Sequence, residues 1–214
     1  MHTEANIPGL DRLISVCQRH ALPLKLSPPY SLPPTRGESV LGAPVDPQLA
    51  AVYRRLGASE FGELALYGPT PGEDGLIATN EWLRKADAPE IQSSLIFGCE
   101  TGFALYYGTV PHLADPQGLQ PVVHVNAYEF YAIPVASNVD RFFEAYSRYL
   151  ELMVVDVEYI HHGIASIHFP SAVIPFIAQD KPLMDSIRAG RFDFMTNNFR
   201  DGIQWLQELK DIAP

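Results

Sequence analysis

Asp156, Glu158, His161 and His162 bring metal-ligating side chains into one short stretch. Adjacent histidines diverge by about 100° on a helix, so one face cannot present both rings to one ion. Zinc ligands on a helix need steps of three or four residues. The alternative is a pair of satisfied histidines at a helix end. Glu73-Asp74 and Glu100 would support acid–base chemistry only if the tertiary fold brought them together. His112, His124 and His168 stand alone, and neither G-x-S-x-G nor H-E-x-x-H occurs. Cys17 and Cys99 lie far apart and match no metal spacing, so they read as free, buried thiols of a reducing compartment. These spacings predict no catalytic residues, no metal and no cofactor.

"SLIFGCETGFALYYG", residues 94–108, could be a phosphate loop or a turn between strands. A phosphate loop needs Lys and then Ser or Thr after its second glycine, and a helix beyond. Here Phe103 follows Gly102, the next segment is strand-like, and Glu100 would repel phosphate. Glycines on both sides of Cys99-Glu100-Thr101 instead suit a hairpin turn with positive φ.

Charge narrows the choice of partner. The formal net charge of -10 argues against nucleic acid, which needs clustered Lys and Arg. From Ala86 to Asp140 the chain has no Lys or Arg, yet carries Asp87, Glu90, Glu100, Asp115, Glu129 and Asp140. Such an interval is either solvated surface or a face that steers a basic protein. On the second reading Glu100, Asp115 and Glu129 supply the charge, and Tyr107 and Tyr128 the desolvated centre. Tyr106, Tyr107, Tyr128, Phe130 and Tyr131 suit packing in a sheet equally well. A rival reading is a small-molecule pocket lined by His124, Glu129 and Tyr131. The N-terminus lacks a basic, apolar leader, and no apolar run reaches the ~18 residues of a membrane span. A soluble, cytoplasmic protein with no membrane contact is expected.

These residues need elements to hold them. Pro8 can open a helix to about His20, with Leu10, Leu13, Ile14 and Cys17 on one face. A Pro-rich connector follows, then a helix capped by Asp46 with Pro47 in its first turn. "ELALYG", "SLIFG", "FALYYG", "PVVHVNA" and "YEFYAIPVAS" read as short strands, and their short links favour antiparallel neighbours. A helix from about Asn138 carries Phe142, Phe143, Tyr146, Leu150, Met153 and Val157 as an apolar stripe that must cover the sheet. Further helices follow Pro170. The fold class is α+β: a twisted, mostly antiparallel sheet with helices packed on one side, plus additional C-terminal helices.

This order of elements resembles the SUKH superfamily, the fungal cell-wall-synthesis-regulator-like and bacterial toxin-immunity proteins. "ESVLGAPVDPQLAAVYRRLG" looks like the family's entry into a proline-started helix, and "ELALYG" like its glycine-ended strand. "LIFGCETGFALYYG" is similar to its central hairpin, and "FYAIPVASNVDRFFEAYSRYL" to its strand leading into an aromatic helix. The chain departs from the pattern at "RLGASEFG", where an Asn-Gly pair is common, and at Glu100-Thr101, where an Asp is common. The resemblance implies a core over residues 38–160, an N-terminal helix and connector over 1–37, and a helical extension over 161–214. It further implies a non-enzymatic protein-binding domain: an immunity protein that neutralises a toxin, or a regulatory scaffold with an endogenous partner.

Overall fold

The computed structural model describes residues 6–30, 39–69, 75–85, 88–129, 131–196 and 199–213. Glu73, Asp74, Asp87 and Phe130, singled out above, lie outside the described residues, as does the end of the Pro-rich connector. Helix α1 spans Pro8–Arg19 and buries Leu10, Leu13, Val16 and Cys17. The connector then supplies β1, Leu24–Lys25, which pairs antiparallel with a later strand instead of lying free on the surface. Strands β2 (Ser39–Val40) and β3 (Ala43–Pro44) form a small separate hairpin.

Asp46 caps α2, Pro47–Arg55, by accepting from the amides of Gln48 and Leu49. Its other oxygen accepts from the amide of Gln120, 2.7 Å away, and so ties α2 to a distant loop. The chain continues through β4 (Ser59–Phe61), β5 (Leu64–Leu66), α3 (Leu76–Leu83) and α4 (Pro89–Gln92). Strands β6 (Leu95–Glu100), β7 (Leu105–Thr109), β8 (Val122–Asn126) and β9 (Tyr131–Ala136) follow. The sheet runs β1-β4-β5-β6-β7-β8-β9, with every neighbouring pair antiparallel. Together with the helices it makes an α+β fold.

Asn138 caps α5, Val139–Met153, through the amide of Arg141 at 3.0 Å. Its stripe of Phe142, Phe143, Tyr146, Leu150 and Met153 is buried. The Phe142 ring lies 4.9 Å from Tyr107 and 5.6 Å from Phe97, which seats the helix on one face of the sheet. Helix α1 packs on the same helix. The stripe ends sooner than its spacing suggests. The chain turns after Met153, Asp156 caps a new helix α6, Val157–His162, and Val157 is left exposed.

Helices α7 (Ile174–Ile177), α8 (Lys181–Arg188), α9 (Asp193–Thr196) and α10 (Arg200–Ile212) complete the fold. They close the β9 side of the sheet. Trp205 donates its indole N–H to the Pro134 carbonyl at 2.9 Å, and Asp180 accepts the Ser137 amide at 2.8 Å. Val122 through Val125 are buried consecutively along β8, so cover is not confined to the α5 face of that strand. Residues from α1, the sheet, α5 and α10 share one hydrophobic cluster, so the segments before residue 38 and after residue 160 are built into a common core.

Candidate protein-binding surface

The sheet's pairing decides which acidic residues meet. Three hairpins turn at one end: β4 into β5 at Gly62-Glu63, β6 into β7 at residues 101–104, and β8 into β9 after Asn126. Gly62 sits at φ +63° and Gly102 at φ +85°, the left-handed region that glycine adopts without steric cost. Gly98 has a different job from the one its spacing suggests. It lies within β6, where an added Cβ would stand 2.7 Å from the Ala65 carbonyl oxygen, so close strand approach requires it.

The three tips are stitched together. Thr101 donates both its amide and its hydroxyl to the Glu63 carbonyl, at 2.8 and 3.0 Å. The Ala127 amide reaches the Ala104 carbonyl at 3.0 Å, and the Ala104 amide donates to the Tyr128 hydroxyl at 3.1 Å. The result is a braced rim presenting Glu63, Glu100, Phe103, Tyr128 and Glu129. Phe103 and Tyr128 are 57% and 63% exposed. Glu129 is exposed and accepts from the Asn126 side chain at 3.3 Å.

Glu63 and Glu100 are half-buried. The Tyr149 hydroxyl donates to Glu63 at 2.9 Å. Burial, with the neighbouring Glu63 charge, pushes the Glu100 carboxyl up to about 7. Among the described residues no Lys or Arg forms an ion pair with Glu63, Glu100 or Glu129. The rim therefore gathers three carboxyl groups without a paired Lys or Arg beside two exposed aromatic rings, and Glu100 carries its full charge only above about pH 7.

Two sequence expectations fail here. Tyr107 is not a surface anchor. It is fully buried among Phe142, Tyr146 and Phe169, because strand alternation turns it toward α5. Asp115 does not join the other carboxylates. It lies in the loop between β7 and β8, at the opposite end of the sheet from the tips. There it accepts the Gln117 and Leu119 amides at 2.8 and 2.9 Å, and it organises its own loop. Glu100, Glu129 and Tyr128 are brought to one end as a group.

Sequence reasoning missed Glu63 and Phe103. Glu63 was legible as the residue after a turn glycine, had β4 and β5 been recognised as a hairpin. Phe103 looked like the start of a strand, but the turn extends through Ala104 and throws its ring outward.

The rival pocket does not assemble. His124 is buried in β8 opposite Ile133, whereas Glu129 is exposed at the tip beyond that strand. Burial lowers His124 to about 4, so its ring is neutral at neutral pH. His161 and His162 end α6 with ring centroids 6.2 Å apart, and His162 lies 3.7 Å from Glu158. Among the described residues, no group of three His, Cys, Asp or Glu side chains is placed to hold a metal ion. Cys17 is buried and Cys99 half-buried, both as free thiols. No described helix is long and apolar enough to cross a membrane.

No protein-family model matches this chain, and no curated protein matches it in sequence.

Proposed function

We propose that the chain is a non-enzymatic, cytoplasmic protein-binding domain of SUKH type, an immunity protein that captures a basic toxin domain. The observation behind this reading is the braced rim, where Glu63, Glu100 and Glu129 stand beside exposed Phe103 and Tyr128. Carboxylates without neighbouring cations accelerate encounter with a basic surface. Exposed aromatic rings supply area that can be desolvated at little entropic cost. A nuclease toxin suits this description, because an enzyme that holds phosphates is basic.

The test is co-expression with a basic nuclease toxin domain, taken from a gene adjacent to this one if one is found there, reading survival and binding kinetics. Glu100→Lys with Glu129→Lys should slow association roughly 10–100-fold while changing dissociation much less. Raising salt should slow the parental association in the same way. Asp115→Lys, at the far end, should leave association within about twofold of the parent. Equal protection by the rim variant, with salt-independent binding, would overturn the reading.

A further inference from the structure

Helix α5 starts beside the end of β9 that is far from the tips and runs back toward them. Its Tyr149 reaches Glu63, and Leu150 packs under Gly62. The turn after Met153 and helix α6 therefore lie next to the rim. Helix α6 buries none of its residues. Leu152, Val155, Val157, Ile160 and Ile164 are all exposed, the last by 73%. Isolated surface apolar side chains are ordinary, but five within residues 152–164 concentrate exposed apolar surface around one turn and one short helix.

The surrounding charge restricts what can cover that patch. From Tyr149 to Asp180 there is no Lys or Arg. Between Lys85 and Lys181 the cations are Arg141 and Arg148 alone. Both guanidinium groups lie over the Phe176 ring, at 4.8 and 4.2 Å, and both pair with Glu144. Asp156 and Glu158 lie within the same stretch. Tyr149, three residues before Leu152, holds Glu63, and Glu100 pairs with the next residue, Leu64. Arg12 and Arg19 reach the end of α5 but both pair with Glu151, and Lys25 near the rim pairs with Glu60. An anionic lipid surface would therefore meet only cations already held by carboxylates. A second copy of this chain would bring like charges together. A basic protein would meet an apolar centre with an acidic margin, the usual anatomy of an interface.

We infer that Leu152, Val155, Val157, Ile160 and Ile164 are the apolar half of the docking surface whose charged half is the rim. The occupant is a basic amphipathic segment of the partner protein. This rests on the reading given above, and it adds a second contact area and the partner's chemistry. The partner's apolar side chains pack on α6 while its Lys or Arg side chains approach Glu63 and Glu100.

A labelled helical peptide with Lys on one face and Leu on the other serves as the probe, with a Glu-for-Lys version as control. Fluorescence anisotropy reads affinity at low and physiological salt. Val157→Ser with Ile160→Ser should weaken the Lys/Leu peptide at least tenfold, about 1.4 kcal/mol, and leave the salt dependence intact. Glu63→Gln with Glu100→Gln should flatten the salt dependence. The control peptide should not bind. If the serine variant binds like the parent while the glutamine variant is weakened, this inference falls and the rim reading stands. If both variants bind like the parent, both fall. Failure of the parent to bind the Lys/Leu peptide overturns the inference. So does a parental dimer, seen by sedimentation, that the serine variant abolishes. Parental binding to phosphatidylserine vesicles that the serine variant loses does the same.

Discussion

Glu100 and His124 give opposite responses to acid, and each can be read by substitution. Glu100 is raised from 4.5 to about 7 in the folded chain, so folding favours its protonated form. Its contribution to stability therefore falls as pH rises from 4.5 through about 7. Glu100→Gln should raise the urea midpoint at pH 8 and leave it nearly unchanged at pH 4. A lower midpoint at pH 8 would mean that the ionised carboxylate stabilises the rim. His124 is lowered from 6.5 to about 4, so folding disfavours its charged form. Its contribution is complete above pH 6.5 and is lost as pH falls through about 4. In His124→Phe the midpoint, relative to the parent, should climb between pH 6.5 and pH 4. A difference that stays flat with pH would place the ring in contact with water.

At the scale of elements, α5 holds the sheet and its own cap sets where it begins. Phe143 is fully buried, and Phe143→Ala should cost about 3–5 kcal/mol in chemical denaturation. Asn138→Ala removes the acceptor for the Arg141 amide and should cost about 1 kcal/mol. Equal losses from the two substitutions would mean that the aromatic stripe is not the main tie. The rim draws its rigidity from different bonds. Thr101 and Ala104 join three hairpin tips through backbone carbonyls and the Tyr128 phenol, so Glu100 and Glu129 can change without unthreading the sheet.

Across the whole molecule, the C-terminal helices are part of the domain's closure. Trp205 and Asp180 satisfy backbone groups of the chain at and just after β9, and that strand would otherwise be an open edge. Trp205→Phe leaves a buried carbonyl without its donor and should cost about 1–3 kcal/mol. Unfolding followed by circular dichroism and by tryptophan fluorescence should give one coincident transition. Separate transitions would mean that the extension folds as its own unit.

Local chemistry made much of the fold legible. Asp46-Pro47 and Asn138 mark helix starts because a short polar side chain satisfies amides that no preceding turn can reach. The short Val-, Ile- and Tyr-rich runs with brief links specify an antiparallel sheet, since such links can only reverse the chain. The run without Lys or Arg is likewise complete in the sequence. Tertiary structure alone decided which of its carboxylates meet. Glu63 and Glu100 lie far apart in sequence but become neighbours when β5 pairs with β6, while Asp115 leaves through a loop at the opposite end. Tyr107 and Tyr128 have the same side chain. One points into the α5 packing and the other out of a turn, because strand register and turn length, not residue type, decide which way a ring faces. Val157 continues the α5 spacing in sequence, yet it is exposed because Asp156 starts a new helix in a new direction. Periodicity reports a face only while the axis that defines it continues.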